Sequence, residues 1–183
     1  MDSLKNHFLI AMPALEDSNF FHSVTLICEH NEEGAMGIVI NHPLQVTQRE
    51  LFDHLNIPSD EVNNQLPVMA GGPVQPERGF VIHNNSGNWQ SSLSISEDIA
   101  ITTSEDILQA MARNQGPDNA FVALGYAGWS AGQLEQELAD NAWLSVAASP
   151  DILFRTPVDN RWNAAAQLLG VDIQQVSSDL GHA

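Results

Sequence analysis

The fold is constrained most by a series of short apolar runs, separated by polar segments that contain glycine or proline. Eight of these runs have the length and composition of β-strands. Several, such as Phe121–Leu124, are apolar at consecutive positions, which predicts burial on both faces of a sheet. The predicted strands are His7–Met12, Val24–Glu29, Met36–Asn41, Pro67–Ala70, Gly79–His83, Ile99–Thr102, Ala120–Leu124 and Trp143–Ala147.

Helix-start patterns lie between these runs. Thr47–Glu50 has the sequence of a capping box, and Thr102–Glu105 offers a second one. Asp159 or Asn160 can cap a further helix. The two strands that flank Glu32–Gly34 look like a hairpin, so strands and helices do not alternate regularly. This order predicts an α/β chain of the α+β type, with a mixed sheet flanked by helices.

The composition limits the functional classes. The chain has 183 residues, which fits one domain over 1–183. Its 23 acidic and 6 basic residues give a net charge of −17. Nucleic-acid binding depends on neutralising phosphates with Lys and Arg, so nucleic acid is a disfavoured partner, as is an anionic membrane surface. No apolar run approaches the roughly 18 residues that a transmembrane helix needs.

Cysteine and histidine positions predict neither a metal site nor a cofactor. Cys28 is the only cysteine, so no intrachain disulfide can form, and a cytoplasmic protein is expected. The apolar start Phe8–Ala11 is explained better as a first strand ending at Pro13 than as a signal peptide. Cys28 and His30 lie two residues apart, which is not a zinc-ligand spacing. A small apolar cysteine in a strand is usually buried. A reactive thiol at Cys28 is the alternative.

The segment Gly128–Gly132 reads G-W-S-A-G and matches the nucleophile pattern of serine hydrolases, with Ser130 as the nucleophile. Its acid would come from Asp140, Asp151, Asp159 or Asp172, and its histidine from His182. The predicted strand ends several residues before Ser130, however, and His182 is the penultimate residue. A capping box explains the same residues, with Ser130 accepting from the Gln133 amide and Gln133 reaching back. The sequence therefore favours a helix cap over an enzyme.

Two glycine segments suggest a binding pocket. Gly125, Gly128 and Gly132 lead from a predicted strand into a helix, where backbone amides can face an anion. Tyr126 and Trp129 would wall such a pocket or pack inward. Gly71-Gly72 is a second turn of close approach, which either shares the pocket floor or is only a tight corner.

Glu135 lies within an apolar helical stripe that includes Ala131, Leu134, Leu138 and Ala142. A carboxylate there is either paired structurally or is a functional acid. We expect a structural pair with Arg155 or Arg161.

Long segments of the chain resemble the YqgE/AlgH family of bacterial cytosolic proteins. These segments are NHFLIAMPAL (6–15), GAMGIVINHP (34–43), GGPV (71–74), GYAGWSAGQLEQEL (125–138) and LFRTPVDNRWNAAAQLLG (153–170). The resemblance implies one domain on a strongly bent, partly barrel-like mixed sheet with helices outside. It also implies a regulator of transcription or exopolysaccharide production with no established reaction. The family pattern G-Y-x-G-W-x-x-G-Q-L-E leaves the position of Ser130 open.

The sequence thus supports a binding or regulatory module that acts through a small ligand or a protein partner rather than through DNA. Its candidate ligand-binding residues are Gly71, Gly72, Gly125, Tyr126, Gly128, Trp129, Gln133 and Glu135. Two alternatives remain: a hydrolase that uses Ser130, and a redox-responsive protein that uses the thiol of Cys28.

Overall fold

The protein is built on one curled sheet of ten strands. A computed structural model describes residues 2–59 and 65–180. The strands are β1 His7–Ala11, β2 Val24–Asn31, β3 Gly34–Val39, β4 Pro43–Thr47, β5 Pro67–Ala70, β6 Val74–Asn84, β7 Ser92–Ser94, β8 Ile99–Thr102, β9 Ala120–Ser130 and β10 Trp143–Ala147. All eight predicted strands are present. The sequence pattern missed β4 and β7, because neither is buried enough to form an apolar run.

Six helices pack on this sheet within the described residues. They are α1 Gln48–His54, α2 Glu105–Ala112, α3 Gln133–Ala139, α4 Pro150–Phe154, α5 Arg161–Gln167 and α6 Ile173–Leu180, with a 3₁₀ turn at Val158–Asn160 before α5. The capping box at Thr47 is confirmed, since its hydroxyl accepts from the Glu50 amide. The box at Thr102 was wrong. Thr102 belongs to β8, and Ser104 precedes α2 without a side-chain bond to the helix amides. Asn160 precedes α5, also without a side-chain cap.

The strand order is β10-β1-β2-β3-β9-β6-β8-β7, and β4 pairs with β5 beside this path. Every pairing is antiparallel except that of β5 with β9, so the sheet is mixed. The hairpin between β2 and β3 is confirmed, with Asn31 opposite Gly34. Strand β9 is central. It pairs with β6 along one edge and with β5 and then β3 along the other.

Between β5 and β6 the chain passes from one edge of β9 to the other. It does so where Gly71-Gly72 contacts Gly125, and we call this point the crossing. On the β5 side, the Gly71 amide donates to the Leu124 carbonyl at 2.7 Å, while Val74 pairs with Tyr126 on the β6 side. A Cβ on Gly72 would lie 2.2 Å from the Tyr126 carbonyl oxygen, and one on Gly125 would lie 2.4 Å from the Gly72 oxygen. Only glycine permits this approach, because any side chain would overlap the opposing backbone.

Gly125 also inverts the direction of the side chains along β9. Before it, Phe121 and Ala123 belong to the cluster on the concave face, and Val122 belongs to the cluster under α1 and α2. Strict alternation would place residue 126 on the convex face. Gly125 has a φ of +80°, and β6 has a register shift opposite it, between Val74 and Gly79. Tyr126 consequently packs with the concave cluster.

Three layers of apolar side chains hold the sheet. The concave face carries the largest cluster, which joins β1, β2, β3, β5, β6, β8 and β9 with α4, α5 and α6. On the convex face, α3 covers β1, β9 and β10, and α1 and α2 cover β5, β6 and β9. Burial on both faces explains why the predicted strands are apolar at consecutive positions.

Helix α5 is anchored to the sheet by two buried side chains. The Trp162 indole donates to the Ala11 carbonyl at 2.9 Å. Arg161 is 7% exposed and donates to the carbonyls of Ile40 and Thr156, with its guanidinium over the Phe121 ring. Burial lowers the pKa of Arg161 to about 10, so it remains charged at neutral pH. These bonds fix the helical layer against the concave face.

None of the helices in the described part of the chain combines the length and apolar character needed to cross a bilayer.

We expect Gly125→Ala to lower the free energy of unfolding by at least about 3 kcal/mol. The positive φ costs an alanine about 1–2 kcal/mol, and the overlap with Gly72 adds to it. Gly128→Ala is the matched control, because a Cβ there meets only the Tyr126 ring, at 3.9 Å. Denaturant unfolding measures both variants. If the two variants were equally stable, the close contact of Gly125 with Gly72 would not be needed for folding.

Candidate functional site

The segment predicted as a glycine-rich loop is part of a strand. Strand β9 continues to Ser130 and pairs with β3 from Gly37 opposite Ala127 to Gly34 opposite Ser130. The expected loop at Gly125–Gln133 was therefore wrong. Strand β3 of the β2–β3 hairpin pairs with these residues, and the sequence of β9 alone does not reveal that pairing. Helix α3 begins at Gln133, after Gly132 in the left-handed conformation.

Ser130 has neither of its two predicted roles in full. Its amide and its hydroxyl both donate to Gln133 Oε1, at 2.9 and 3.2 Å. Gln133 therefore reaches back as expected, but the predicted bond from the Gln133 amide to the serine oxygen is absent. Among the described residues no imidazole bonds to this hydroxyl, and His182 lies outside them. Ser130 is the last residue of a strand rather than the apex of a nucleophile turn.

Several residues of the family pattern form an internal network. Glu137 accepts from the indoles of Trp129 and Trp143 at 3.1 and 2.9 Å, and from the side-chain amide of Gln133 at 2.9 Å. Trp129 is 6% exposed and packs in the convex cluster with Leu134. No sequence motif indicated a role for Glu137. Since its donors are buried indoles, the network ties α3 to β9 and β10.

Glu135 has a structural partner, but the predicted arginine was wrong. His30 on β2 bonds its carboxylate through Nε2. The Leu4 amide donates to His30 Nδ1 at 2.9 Å, so the imidazole proton lies on Nε2 and points at Glu135. Arg155 instead pairs with Asp151 at 3.2 Å, and Arg161 bonds carbonyls. The sequence gives no signal for the histidine, because it lies 105 residues away.

The two glycine segments do meet. Gly71, Gly72 and Gly125 are in direct backbone contact at the crossing. A shared pocket floor requires the two segments to lie together, and they do. The close backbone packing by itself is also enough to explain why these positions are glycine. Ligand binding by Gly71, Gly72, Gly125, Gly128, Trp129, Gln133 and Glu135 stays a prediction.

A cleft of about 520 Å³ opens on the concave face beside the crossing. Strands β2, β3, β6, β7, β8 and β9 all contribute to it, and we call it the concave cleft. Its lining residues are Cys28, Glu29, Met36, Arg78, Phe80, Ser91, Ser92, Leu93, Ile101, Thr103 and Tyr126.

Two aromatic rings and an arginine shape one wall of the concave cleft. Tyr126 meets Phe80 edge-on, with ring centroids 5.9 Å apart. The Arg78 guanidinium lies 5.1 Å from the Phe80 centroid, a cation–π distance. Arg78 belongs to the register shift of β6 opposite Gly125, so the same irregularity places Tyr126 and Arg78 together.

The opposite rim carries hydroxyl groups. Ser91 and Thr103 are exposed there, and the Thr103 amide donates to the Ser91 carbonyl at 2.9 Å, whereas the Ser92 hydroxyl bonds Thr102 on the other face of the sheet. The cleft thus combines apolar walls with one cation and several hydroxyls, a combination that suits a small molecule with an apolar body and an anionic or accepting group. Of its lining residues, only Tyr126 and Cys28 were predicted from the sequence as candidate site residues. Arg78 and the serines lie in exposed segments without a motif.

Cys28 forms part of the cleft wall but is only 1% exposed. Burial, with a smaller contribution from Glu29, raises the pKa of its thiol. A buried, protonated thiol is a poor nucleophile, so the geometry argues against a reactive cysteine. Across residues 2–59 and 65–180, no three His, Cys, Asp or Glu side chains are grouped to hold a metal ion.

Glu135→Gln is expected to lower stability by about 1 kcal/mol near neutral pH, because it removes the charge from the bond with His30. That bond lowers the pKa of Glu135 below its ordinary value of 4.5. The contribution is therefore full above pH 4.5 and is lost as the pH falls through the folded-state pKa.

Unfolding of both proteins at about pH 7 and about pH 3.5 tests this dependence. Asp53→Asn, at an exposed carboxylate of α1, is the control. If the stability difference between the wild type and Glu135→Gln were the same at both pH values, the predicted contribution of the Glu135 charge would be wrong.

Cys28 should react with dithiobis(nitrobenzoic acid) at least about 1,000-fold more slowly in the native protein than in denaturant, because attack requires local opening. It is the only cysteine, so one absorbance trace reports it. Rapid stoichiometric reaction of the native protein would restore the redox hypothesis.

Comparison with known proteins agrees with this architecture. A UPF0301 protein of Thioalkalivibrio sulfidiphilus is 62% identical over 178 residues, covering 97% of this chain and 96% of its own. One from Nitrosococcus oceani is 52% identical and covers 98% and 96%. The solution structure of AlgH from Pseudomonas aeruginosa superposes with a TM-score of 0.80 at 47% identity, covering 96% and 93%.

A protein of Corynebacterium diphtheriae shares the fold alone, with a TM-score of 0.78 at 18% identity over 97% of this chain and 92% of its own. The family model described as AlgH-like matches residues 8–174. The chain belongs to the AlgH-like family, as its sequence motifs and its half-barrel fold both indicate.

Proposed function

We propose that this protein binds a small organic molecule in the concave cleft. The observation that carries the proposal is the convergence of Tyr126, Arg78 and the rim hydroxyls on a cavity of about 520 Å³. Such a cavity, mostly apolar with few polar groups, has the usual character of a small-molecule site.

The ligand's chemistry follows from the lining. Met36, Phe80 and Ile101 would contact an apolar body, and the Tyr126 ring would close it from one side. Arg78 supplies a positive charge, while Ser91 and Thr103 supply hydrogen-bond donors. Glu29 on β2 also lines the cleft and would repel a second negative group there. A molecule with one anionic group fits this arrangement.

The regulatory role implied by the family resemblance would then act through the ligand. With 6 basic residues against 23 acidic ones, the surface offers little to neutralise phosphates, so DNA contact is disfavoured. Occupancy of the cleft would instead join residues of β2, β6 and β8 through the ligand.

Anilinonaphthalenesulfonate is a suitable probe, because it joins an aromatic body to one anionic group. We expect saturable fluorescence on binding, with an affinity at least about tenfold lower in Arg78→Glu. Losing one attraction and gaining one repulsion of about 0.7 kcal/mol each gives this factor. Arg113→Glu changes the net charge equally but lies outside the cleft, so its affinity should match the wild type.

Equal weakening by Arg78→Glu and Arg113→Glu would overturn the proposal, since it would show that only overall charge matters. Absence of saturable binding to the wild type would overturn it as well. Amide shifts of Ile101 and Tyr126 on titration would support it.

A further inference from the structure

The guanidinium of Arg161 is a buried charge that has no charged partner among the described residues. Arg161 is 7% exposed, and neither of the ion pairs within residues 2–59 and 65–180 includes it. Carboxylates are plentiful in this chain, with 23 acidic residues against 6 basic ones. Burying a cation is costly unless a counter-charge or a full set of hydrogen bonds compensates for it. The compensation of Arg161 therefore needs an explanation.

Hydrogen bonds within the protein use only part of this guanidinium. Its Nε donates to the Thr156 carbonyl at 3.1 Å, and its Nη1 donates to the Ile40 carbonyl. A guanidinium has five N–H donors, so these two bonds leave three, two of them on Nη2. The guanidinium carbon also lies 5.3 Å from the Phe121 centroid, an attraction that uses no N–H group. One edge of the guanidinium thus remains without an acceptor among the described residues.

The Nη2 atom of Arg161 is accessible. Four buried side-chain atoms of the described residues lack a hydrogen-bond partner, and Nη2 is not among them. Because Nη2 makes no hydrogen bond in this part of the chain either, it touches space that a water molecule can reach. Arg161 lines a cavity of about 190 Å³ between the starts of β5 and β9 and the helix α4. We call it the arginine cavity, and the free edge of the guanidinium can open into it.

The walls of the arginine cavity are mostly apolar. Met69 and Phe121 come from β5 and β9, and Leu153 and Phe154 come from α4. Leu66 is half exposed, so the cavity reaches the surface beside it. An apolar cavity of about 150 Å³ is large enough for a benzene ring, so this one has room for a small aromatic or branched aliphatic group.

We propose that the arginine cavity binds a small monocarboxylate with an apolar body. The carboxylate would accept from the free edge of the Arg161 guanidinium, because the planar fork of donors matches two carboxylate oxygens. The apolar body would contact Met69, Phe121 and Leu153. The ligand would then neutralise a buried charge for which the described residues provide no counter-ion.

Asp118 restricts the charge of such a ligand. Its carboxylate is exposed and lines the same cavity without pairing with Arg161. It would repel a dianion such as phosphate, which would also leave oxygens without donors among the apolar walls. A single carboxylate needs only the donors that one edge of the guanidinium supplies.

Benzoate and benzamide test the charge requirement in the wild-type protein. They have nearly the same size and shape, but only benzoate is an anion at neutral pH. We expect benzoate to bind saturably and at least about tenfold more tightly, because benzamide leaves the guanidinium without a counter-charge. Amide shifts in a nuclear magnetic resonance titration measure both affinities and should be largest near Met69, Phe121 and Phe154. Equal affinities, or no saturable benzoate binding, would overturn the inference.

Two leucine variants test the location. Leu66 and Leu168 are equally exposed, at 51% and 50%, and only Leu66 lines the arginine cavity. Leu66→Glu places a further negative charge at the mouth, so it should weaken benzoate binding about threefold or more. Leu168→Glu changes the net charge equally and should bind benzoate as the wild type does. Equal benzoate affinities of these two variants would place the ligand elsewhere.

Arg161→Met removes the charge itself and should abolish benzoate binding. Retained binding in a folded Arg161→Met protein would refute the inference. This variant also loses the bonds to Ile40 and Thr156, and if it does not fold, the benzamide comparison and the two leucine variants decide.

Arg78→Glu separates this cavity from the concave cleft, with which it shares no lining residue. Benzoate binding should persist in Arg78→Glu even where binding of anilinonaphthalenesulfonate is weakened. Loss of benzoate binding in Arg78→Glu would show that benzoate occupies the concave cleft, which would refute this inference and support the proposed function.

Discussion

The close approach of Gly72 to Gly125 is the constraint on which the rest of the structure depends. It lets the chain cross β9, so that β5 and β6 flank the same strand. The positive φ at Gly125 turns Tyr126 to the concave face, and the register shift opposite it exposes Arg78. One backbone contact that tolerates no Cβ thus sets both the topology and the wall of the cleft.

The residues of the family pattern divide between two tasks. Trp129, Gln133 and Glu135 belong to hydrogen bonds within the molecule and hold α3 on the convex face. Tyr126 alone among the pattern's side chains enters the concave cleft. Most of these side chains attach a helix, because the buried indole of Trp129 needs a hydrogen-bond acceptor.

A short, exposed strand is attached to the edge of the sheet by side-chain hydrogen bonds. Strand β7 has only three residues, and its Ser92 bonds Thr102 on β8, which in turn bonds His83 on β6. Because His83 Nδ1 bonds a carbonyl, its Nε2 accepts from the Thr102 hydroxyl, and Thr102 accepts from Ser92. These bonds lie on the face of the sheet opposite the concave cleft.

The sequence by itself determined the eight main strands, the α1 cap and the fold class, because apolar runs and caps are local signals. It also selected Tyr126 as a candidate pocket residue, but it left open whether the two glycine segments meet. Tertiary structure alone decided that β9 extends to Ser130, that His30 rather than an arginine pairs with Glu135, and that Arg78 and Ser91 share a cleft. Those relations join residues that are distant in sequence, and a single strand carries no signal of which partner its edge or its carboxylate will meet.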